Sequence, residues 1–170
     1  MKINRLIVSA SLLLVFVTSA QAQAAKAVLQ DRDGKEAGTA TLTEGAGEVK
    51  ITLDLTGLPQ GIHAFHIHET GTCEGPDFKS AGGHFNPYGK KHGVKNPAGS
   101  HAGDLPNVTI GLDGTGRAEA AAKGVTLGEG DNSLFHSGGT ALVIHAGPDD
   151  EMTDPAGNAG ARIACGVIQK

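Results

Sequence analysis

Beyond its first two dozen residues, this 170-residue sequence lacks any apolar run long enough to span a bilayer. It also lacks an internal repeat and a sustained helical period of apolar residues. No HExxH motif and no activated serine or cysteine arrangement is present. These absences argue against a membrane-spanning protein, a helical or repeat fold, and a zinc hydrolase.

Positive charge is scarce in the part of the chain that follows the first segment. That segment holds Lys2 and Arg5 and no acidic residue, so the remainder has 12 basic against 18 acidic side chains, a net charge of −6. A negative surface disfavours nucleic acid or an anionic membrane as the main partner. We therefore expect neither.

Cysteine is scarce as well, with only Cys73 and Cys165 in the chain. If the protein is exported, both cysteines lie in an oxidising compartment. An even count there favours one internal disulfide over two free thiols.

Residues 1–22 have the composition of a secretory signal peptide. Lys2 and Arg5 precede an apolar run, and small residues follow it, with cleavage predicted after Ala22 or Ala24. The run is too short to span a bilayer comfortably. We expect a soluble, exported chain with one domain over residues 23–170.

The rest of the sequence predicts an all-β domain of eight strands. Short runs rich in Val, Thr, Ile and Leu alternate with turn residues, and Asp33-Gly34 and Asp113-Gly114 are placed for tight hairpins. Residues 69–104 and 146–160 fit no strand, and loops of that length are usually functional. The strand-like runs are AVLQ, GTATLTE, EVKITLDL, GIHAFHIH, NVTIGLD, GRAEAAA, TALVIHA and ARIACGVI.

Three of the eight histidines fall within the stretch GIHAFHIHE. If this stretch is extended, period 2 places His66 and His68 on one face and His63 and Phe65 on the other. We therefore interpret His63 as a structural histidine. The isolated His136 is interpreted as a solvated or hydrogen-bonded residue.

The remaining histidines are grouped in a way that indicates metal binding. His84, His92 and His101 lie in the first long loop, and His145 ends the strand TALVIHA on the face opposite Leu142. Imidazole suits copper and zinc, whereas calcium and magnesium prefer oxygen ligands.

Six histidines exceed the needs of one tetrahedral ion. The three loop histidines and Asp104 would complete a four-coordinate zinc site. The strand histidines His66, His68 and His145 would then form a second site that lacks a fourth ligand. A histidine can serve two metals through its two ring nitrogens, so the pattern predicts a dinuclear centre.

Six stretches together resemble the copper/zinc superoxide dismutases of the exported bacterial kind. They occur in the family's order over most of the chain after residue 22. The resemblance implies an eight-stranded antiparallel Greek-key barrel or sandwich of immunoglobulin-like type, with two long functional loops. The stretches are FHIHE, GGHFNP, KHG, SHAGDLPNV, ALVIHAGPDD and GNAGARIACGVI.

The resemblance also implies a set of ligands for each metal, with His84 as the bridge between them. The copper ligands implied are His66, His68, His84 and His145, and the zinc ligands implied are His84, His92, His101 and Asp104.

Three further features of the family have counterparts in this sequence. Cys73 and Cys165 match the disulfide that joins the long loop to the last strand. Arg162 matches the arginine that lines the copper mouth and attracts the anion. Asp149 matches a carboxylate that links a copper histidine to a zinc histidine, although the adjacent Asp150 leaves this assignment open.

The activity implied is the conversion of superoxide to oxygen and hydrogen peroxide in the periplasm, by copper that cycles between Cu(II) and Cu(I). Zinc is structural, and a nitrogen of His84 takes up a proton and delivers it to the peroxide. The rival interpretation is a non-catalytic periplasmic copper/zinc-binding protein. A bridging histidine and Arg162 argue against it, because metal storage needs neither. Both a monomer and a homodimer fit the sequence.

Overall fold

The computed structural model describes residues 23–170, so the predicted signal peptide, residues 1–22, lies outside the described residues. Within residues 23–170, nine strands form one antiparallel sheet, and no helix there has the length and apolar character needed to cross a membrane. The strands are β1 (Ala24–Asp31), β2 (Glu36–Glu44), β3 (Glu48–Leu55), β4 (Gly61–His63), β5 (Phe65–His68), β6 (Val108–Ile110), β7 (Gly116–Lys123), β8 (Ala141–His145) and β9 (Arg162–Val167).

The strand order β4-β6-β7-β3-β2-β1-β9-β8-β5 makes a nearly closed barrel, because β4 and β5 are separated only by Ala64. The sequence predicted a single strand over residues 61–68. The structure divides it because β4 pairs with β6 and β5 pairs with β8. Ala64 connects the two halves, and its backbone hydrogen bonds to Gly147 and His145 continue the pairing of β5 with β8. The all-β prediction is confirmed, and this division accounts for nine strands instead of eight.

Both predicted hairpin turns are present. Gly34 and Gly114 have positive φ angles of 79° and 75°. Glycine adopts this conformation with less strain than any other residue. Each of the two turns reverses the chain between a pair of neighbouring strands.

The core lies inside the barrel and follows the period-2 pattern of the strands. In β3, Val49, Ile51 and Leu53 are buried, and they alternate with more exposed neighbours. Burying each such side chain contributes about 1.5–3 kcal/mol. The barrel is therefore a rigid support for the loops on its outside.

Three long connections leave this barrel. Residues 69–107 and 146–161 correspond to the two loops that the sequence indicated. A third connection, residues 124–140, was not predicted, and it contributes the buried side chains of Leu127 and Leu134 to the core. Its apolar residues are too few and too dispersed to indicate that role in the sequence.

Candidate metal centre

Strands β5 and β8 bring three histidines together on the outer face of the barrel. Phe65 and Ile67 point into the core, while His66 and His68 point away from it. Their imidazoles are nevertheless only 0% and 1% exposed, because a loop covers this face. His145 belongs to the neighbouring strand, since β5 pairs with β8.

The loop of residues 69–107 lies along the free edge of β5 and so delivers its own ligands. The backbone N–H of Phe85 donates to Ile67, and the N–H of Ile67 donates to Gly103. A side chain at Gly103 would collide with the carbonyl of Ile67. This close approach places His84 beside His68 and Asp104 beside His66.

The first group of possible ligands consists of four buried histidines, each of which offers one ring nitrogen within 4.8 Å of the others. The Nε2 atoms of two of them, His68 and His145, are 3.4 Å apart. Nδ1 of His66 and Nε2 of His84 are buried without any hydrogen-bond partner. Buried polar atoms are nearly always paired, so these two nitrogens fit a metal ion. The group is His66, His68, His84 and His145.

Hydrogen bonds on the far side of these rings fix which nitrogen is free. The Nδ1–H of His68 donates to the carbonyl of Gly82 at 2.9 Å, and the Nδ1–H of His145 donates to that of Gly160 at 3.3 Å. Each ring therefore directs the lone pair of its Nε2 into the group.

Burial keeps these rings neutral. It lowers the pKa of His68 to about 2, that of His145 to about 3 and that of His84 to about 4. Neutral imidazole is the form that ligates copper or zinc.

The second group of possible ligands surrounds one oxygen of Asp104. Its Oδ1 lies 2.9 Å from Nδ1 of His84, 3.0 Å from Nδ1 of His92 and 3.2 Å from Nδ1 of His101. Ligand bonds of 2.0–2.1 Å to a tetrahedral zinc ion separate the ligand atoms by about 3.3 Å. The observed spacings are close to the edges of such a tetrahedron, so the group fits zinc.

Asp104 is held in place as a carboxylate. Its Oδ2 accepts hydrogen bonds from the backbone N–H groups of Gly93 at 2.8 Å and His101 at 2.9 Å. Burial alone would raise the pKa of Asp104, but hydrogen bonds from His101, His84 and Gly93 bring it below its ordinary value. A negative ligand complements a divalent cation.

His84 is common to both groups. Its Nδ1 faces the oxygen of Asp104, whereas its Nε2 is the unpartnered buried nitrogen of the first group. Because the two nitrogens lie on opposite sides of one ring, a single side chain reaches both sites.

Asp149 links one histidine of the first group to one histidine of the second. Its Oδ2 accepts a hydrogen bond from Nε2–H of His66 at 2.8 Å, and its Oδ1 accepts one from Nε2–H of His92 at 2.9 Å. Burial would raise the pKa of Asp149, but these two hydrogen bonds keep it below the usual range. The adjacent Asp150 is turned away and instead accepts from the backbone N–H groups of Met152 and Thr153.

Arg162 lies at the mouth of the first group. Its Nη1 donates to the carbonyl of Phe78 and its Nη2 to that of Gly82, both at 2.6 Å. It shares a cleft of about 380 Å³ with His68 and His145. These two hydrogen bonds hold a cation at the cleft, which the carboxylate of Glu69 also lines.

The disulfide between Cys73 and Cys165 is present, which confirms that prediction. It ties the loop of residues 69–107 to β9, and Phe78 and Val143 pack in the same small cluster of buried side chains. The segment that carries the carbonyl partners of Arg162 is therefore anchored covalently.

The two remaining histidines lie outside both groups. His63 has Nδ1 2.8 Å from the carbonyl of His145 and Nε2 3.0 Å from that of Pro59, so it links β4 to neighbouring backbone. His136 stacks on Phe85 with ring centroids 5.4 Å apart. His63 therefore agrees with a structural interpretation, and Nδ1 of His136 accepts from the backbone N–H of Gly138 at 3.2 Å, as a hydrogen-bonded residue would.

Two residues around the site were not identified from the sequence. Asn107 hydrogen-bonds both backbone groups of Asp149, at 2.9 and 2.8 Å. Gly157, with φ of 60°, packs so closely on Asp149 and His92 that a side chain would displace them. A single Asn or Gly carries no local pattern, so nothing in the sequence distinguished these residues.

An antiparallel barrel with two adjoining groups of metal ligands defines a metalloprotein with a dinuclear centre. Residues 36–168 match the family model described as copper/zinc superoxide dismutase. The chain is 53% identical over 165 residues to Superoxide dismutase [Cu-Zn] 2 of Aquifex aeolicus, covering 96% of each chain. It is 46% identical to Superoxide dismutase [Cu-Zn] of Caulobacter vibrioides, covering 85% of each.

Solved structures agree with this relationship. A SOD-like protein from Bacillus subtilis superposes with a TM-score of 0.80 at 41% identity, covering 84% of this chain and 96% of that one. The Cu/Zn superoxide dismutase from Brucella abortus superposes with a TM-score of 0.69 at 28% identity, covering 85% and 99%. The chain belongs to the copper/zinc superoxide dismutase family.

Proposed function

We propose that this superoxide dismutase binds copper through the first group of ligands and zinc through the second, with His84 shared by both. The observation that carries the proposal is the ring of His84, which presents one nitrogen to Asp104 and leaves the other buried and unpartnered. The ligands proposed for copper are His66, His68, His84 and His145, and those proposed for zinc are His84, His92, His101 and Asp104.

The protein is an oxidoreductase that converts two superoxide ions and two protons into oxygen and hydrogen peroxide. Copper, when bound, supplies the one-electron redox chemistry of this reaction. In our proposal Arg162 attracts the anion into the cleft, and Nε2 of His84, in the state in which it does not bind copper, holds a proton and donates it to the product.

A protein that only stores copper and zinc is not favoured. Storage would need neither a histidine common to two ligand groups nor Arg162 held at the mouth of the cleft by two carbonyls. Both features have a role in a dismutase, because one carries a proton and the other draws in an anion.

The deciding experiment combines metal analysis with activity. Purified protein should contain one copper and one zinc per chain and should accelerate superoxide decay in pulse radiolysis. His66→Ala should lose copper, and His101→Ala should lose zinc. The matched control His136→Ala, outside both groups, should retain both metals. A wild-type protein without dismutase activity when fully loaded would contradict the function.

We also propose export to the periplasm through cleavage after Ala22. This cut would leave Ala24 paired with Thr43, and Gln23 in position to accept a hydrogen bond from Glu44. Cleavage after Ala24 would remove these contacts. Mass spectrometry of the periplasmic protein identifies the cut, and sedimentation of the same sample separates a monomer from a homodimer.

A further inference from the structure

Asn107 forms two hydrogen bonds with the backbone of Asp149. Its Nδ2–H donates to the Asp149 carbonyl at 2.9 Å, and its Oδ1 accepts from the Asp149 N–H at 2.8 Å. The two residues are 42 positions apart, at the end of one long loop and within the other. A primary amide, with a donor and an acceptor on one carbon, can make both bonds at once.

These two hydrogen bonds hold a residue whose neighbour in the sequence is also an aspartate. Asp149 holds His66 and His92, whereas Asp150 accepts hydrogen bonds from Met152 and Thr153 in its own loop. Successive residues point in different directions, so the backbone position at 149 determines which carboxylate faces the histidines.

We propose that Asn107 is a positioning residue for both metal sites, because its amide fixes Asp149, and not Asp150, as the carboxylate that orients His66 and His92. The inference rests on the proposed metal ligands. It goes beyond them because Asn107 touches neither histidine and is not itself a ligand.

A carboxylate of Asp149 that is free to move no longer fixes the orientation of either imidazole ring. Loss of a hydrogen-bond partner behind a ligating histidine typically costs 10- to 100-fold in metal affinity. Asn107 acts one step further from the metals than Asp149. We therefore expect effects of about threefold to tenfold.

The test uses the metal-loaded protein and two substitutions. Asn107→Ala removes both hydrogen bonds. Asn107→Asp keeps the acceptor but turns a carboxylate oxygen towards the Asp149 carbonyl. Asn96→Ala is the matched control, because Asn96 also reaches the loop of residues 146–161, through the carbonyl of Met152, without contacting Asp149.

Two measurements report on the two sites separately. Zinc release to a chromophoric chelator should be about threefold to tenfold faster in both Asn107 variants, because His92 loses its fixed orientation. The Cu(II) electron paramagnetic resonance spectrum should change as well, because His66 turns. Asn96→Ala should match the wild type in both measurements.

If Asn107 only held the two long loops together, the result would be different. The Asn107 variants would then have a lower melting temperature but the zinc release and copper spectrum of the wild type, and that result would overturn the proposal. If Asn107→Ala fails to fold, Asn107→Asp alone decides in the same way. A wild-type protein that binds neither metal would instead refute the proposed ligands.

Discussion

His68 and Arg162 hydrogen-bond the same oxygen atom. The carbonyl of Gly82 accepts from Nδ1–H of His68 at 2.9 Å and from Nη2–H of Arg162 at 2.6 Å. One backbone atom therefore orients both a proposed copper ligand and the cation at the mouth of the cleft. Movement of this loop segment would disturb metal binding and anion attraction together.

Replacing Arg162 by Gln should lower kcat/KM about tenfold, which is about 1.4 kcal/mol of attraction lost. The residues after 22 carry a net charge of −6, so attraction of an anion must come from local charges. Activity of the wild type should fall with rising salt, and that dependence should weaken in the variant. Stopped-flow rates across a salt series measure both effects.

Arg117→Gln is the control for this experiment. Arg117 is an exposed arginine that pairs with Asp54 on the barrel, away from the residues that line the cleft. Its removal changes the net charge by the same amount. Equal losses in the two variants would show that net charge, and not the position of Arg162, governs the rate.

His84→Ala should separate the behaviour of the two metals. In the wild type, removing zinc should change the Cu(II) spectrum, because one ring contacts both ions in our proposal. In the variant the copper spectrum should be independent of zinc, and activity should fall by at least about tenfold. Spectra that respond to zinc equally in both proteins would exclude His84 as the bridge.

Reduction of the disulfide should destabilise the protein. Cys73 and Cys165 are separated by 92 positions, and closing a loop of that length is worth about 4–5 kcal/mol in the chain-entropy model. Urea unfolding of Cys73→Ser/Cys165→Ser beside the wild type measures this difference. A free energy of unfolding within 1 kcal/mol of the wild type would contradict the estimate.

Metal-free protein should lose stability as the pH falls from about 6.5 towards 4. The folded pKa values of His68, His84 and His145 are about 2, 4 and 3, whereas an unfolded histidine titrates near 6.5. Below pH 6.5 the unfolded chain therefore binds protons that the folded chain does not. Each such proton lowers the free energy of unfolding by about 1.4 kcal/mol for every pH unit of decrease.

His92 has the opposite shift, because burial, which lowers its pKa, is outweighed by hydrogen bonds and charge from Asp149 and Asp104. The contribution of His92 to the free energy of unfolding is complete below pH 6.5 and is lost only as the pH rises above that value. Urea titrations of chelator-treated protein between pH 4.5 and 7.5 measure the acid slope. His145→Asn should reduce that slope, and a flat profile in the wild type would contradict the assignment.

The histidine pattern was predictable where it depended on strand period. Alternation alone placed His66 and His68 on the face opposite Phe65, and the structure has them there. The break at Ala64 was not predictable, because it arises from the pairing of β4 and β5 with different partners.

The supporting contacts of the site were the least predictable part. The carbonyls of Gly82 and Gly160 fix two histidine rings. Every residue has a backbone carbonyl, so the residue type does not indicate which carbonyl has this role. Similarly, the family resemblance matched Asp149 to the linking carboxylate, but the adjacent Asp150 left that assignment open. Only the folded loop, in which Asn107 contacts Asp149, separates the two.

The loop along the free edge of β5 also bears on how this chain avoids edge-to-edge aggregation. A strand at the border of an open sheet exposes unpaired N–H and C=O groups, which recruit strands from other copies into aggregates. Here the loop of residues 69–107 occupies the free edge of β5, where the backbone N–H of Ile67 donates to Gly103 and the carbonyl of Ile67 accepts from Phe85. The strand that carries His66 and His68 is therefore withheld from intermolecular pairing even before any metal is bound.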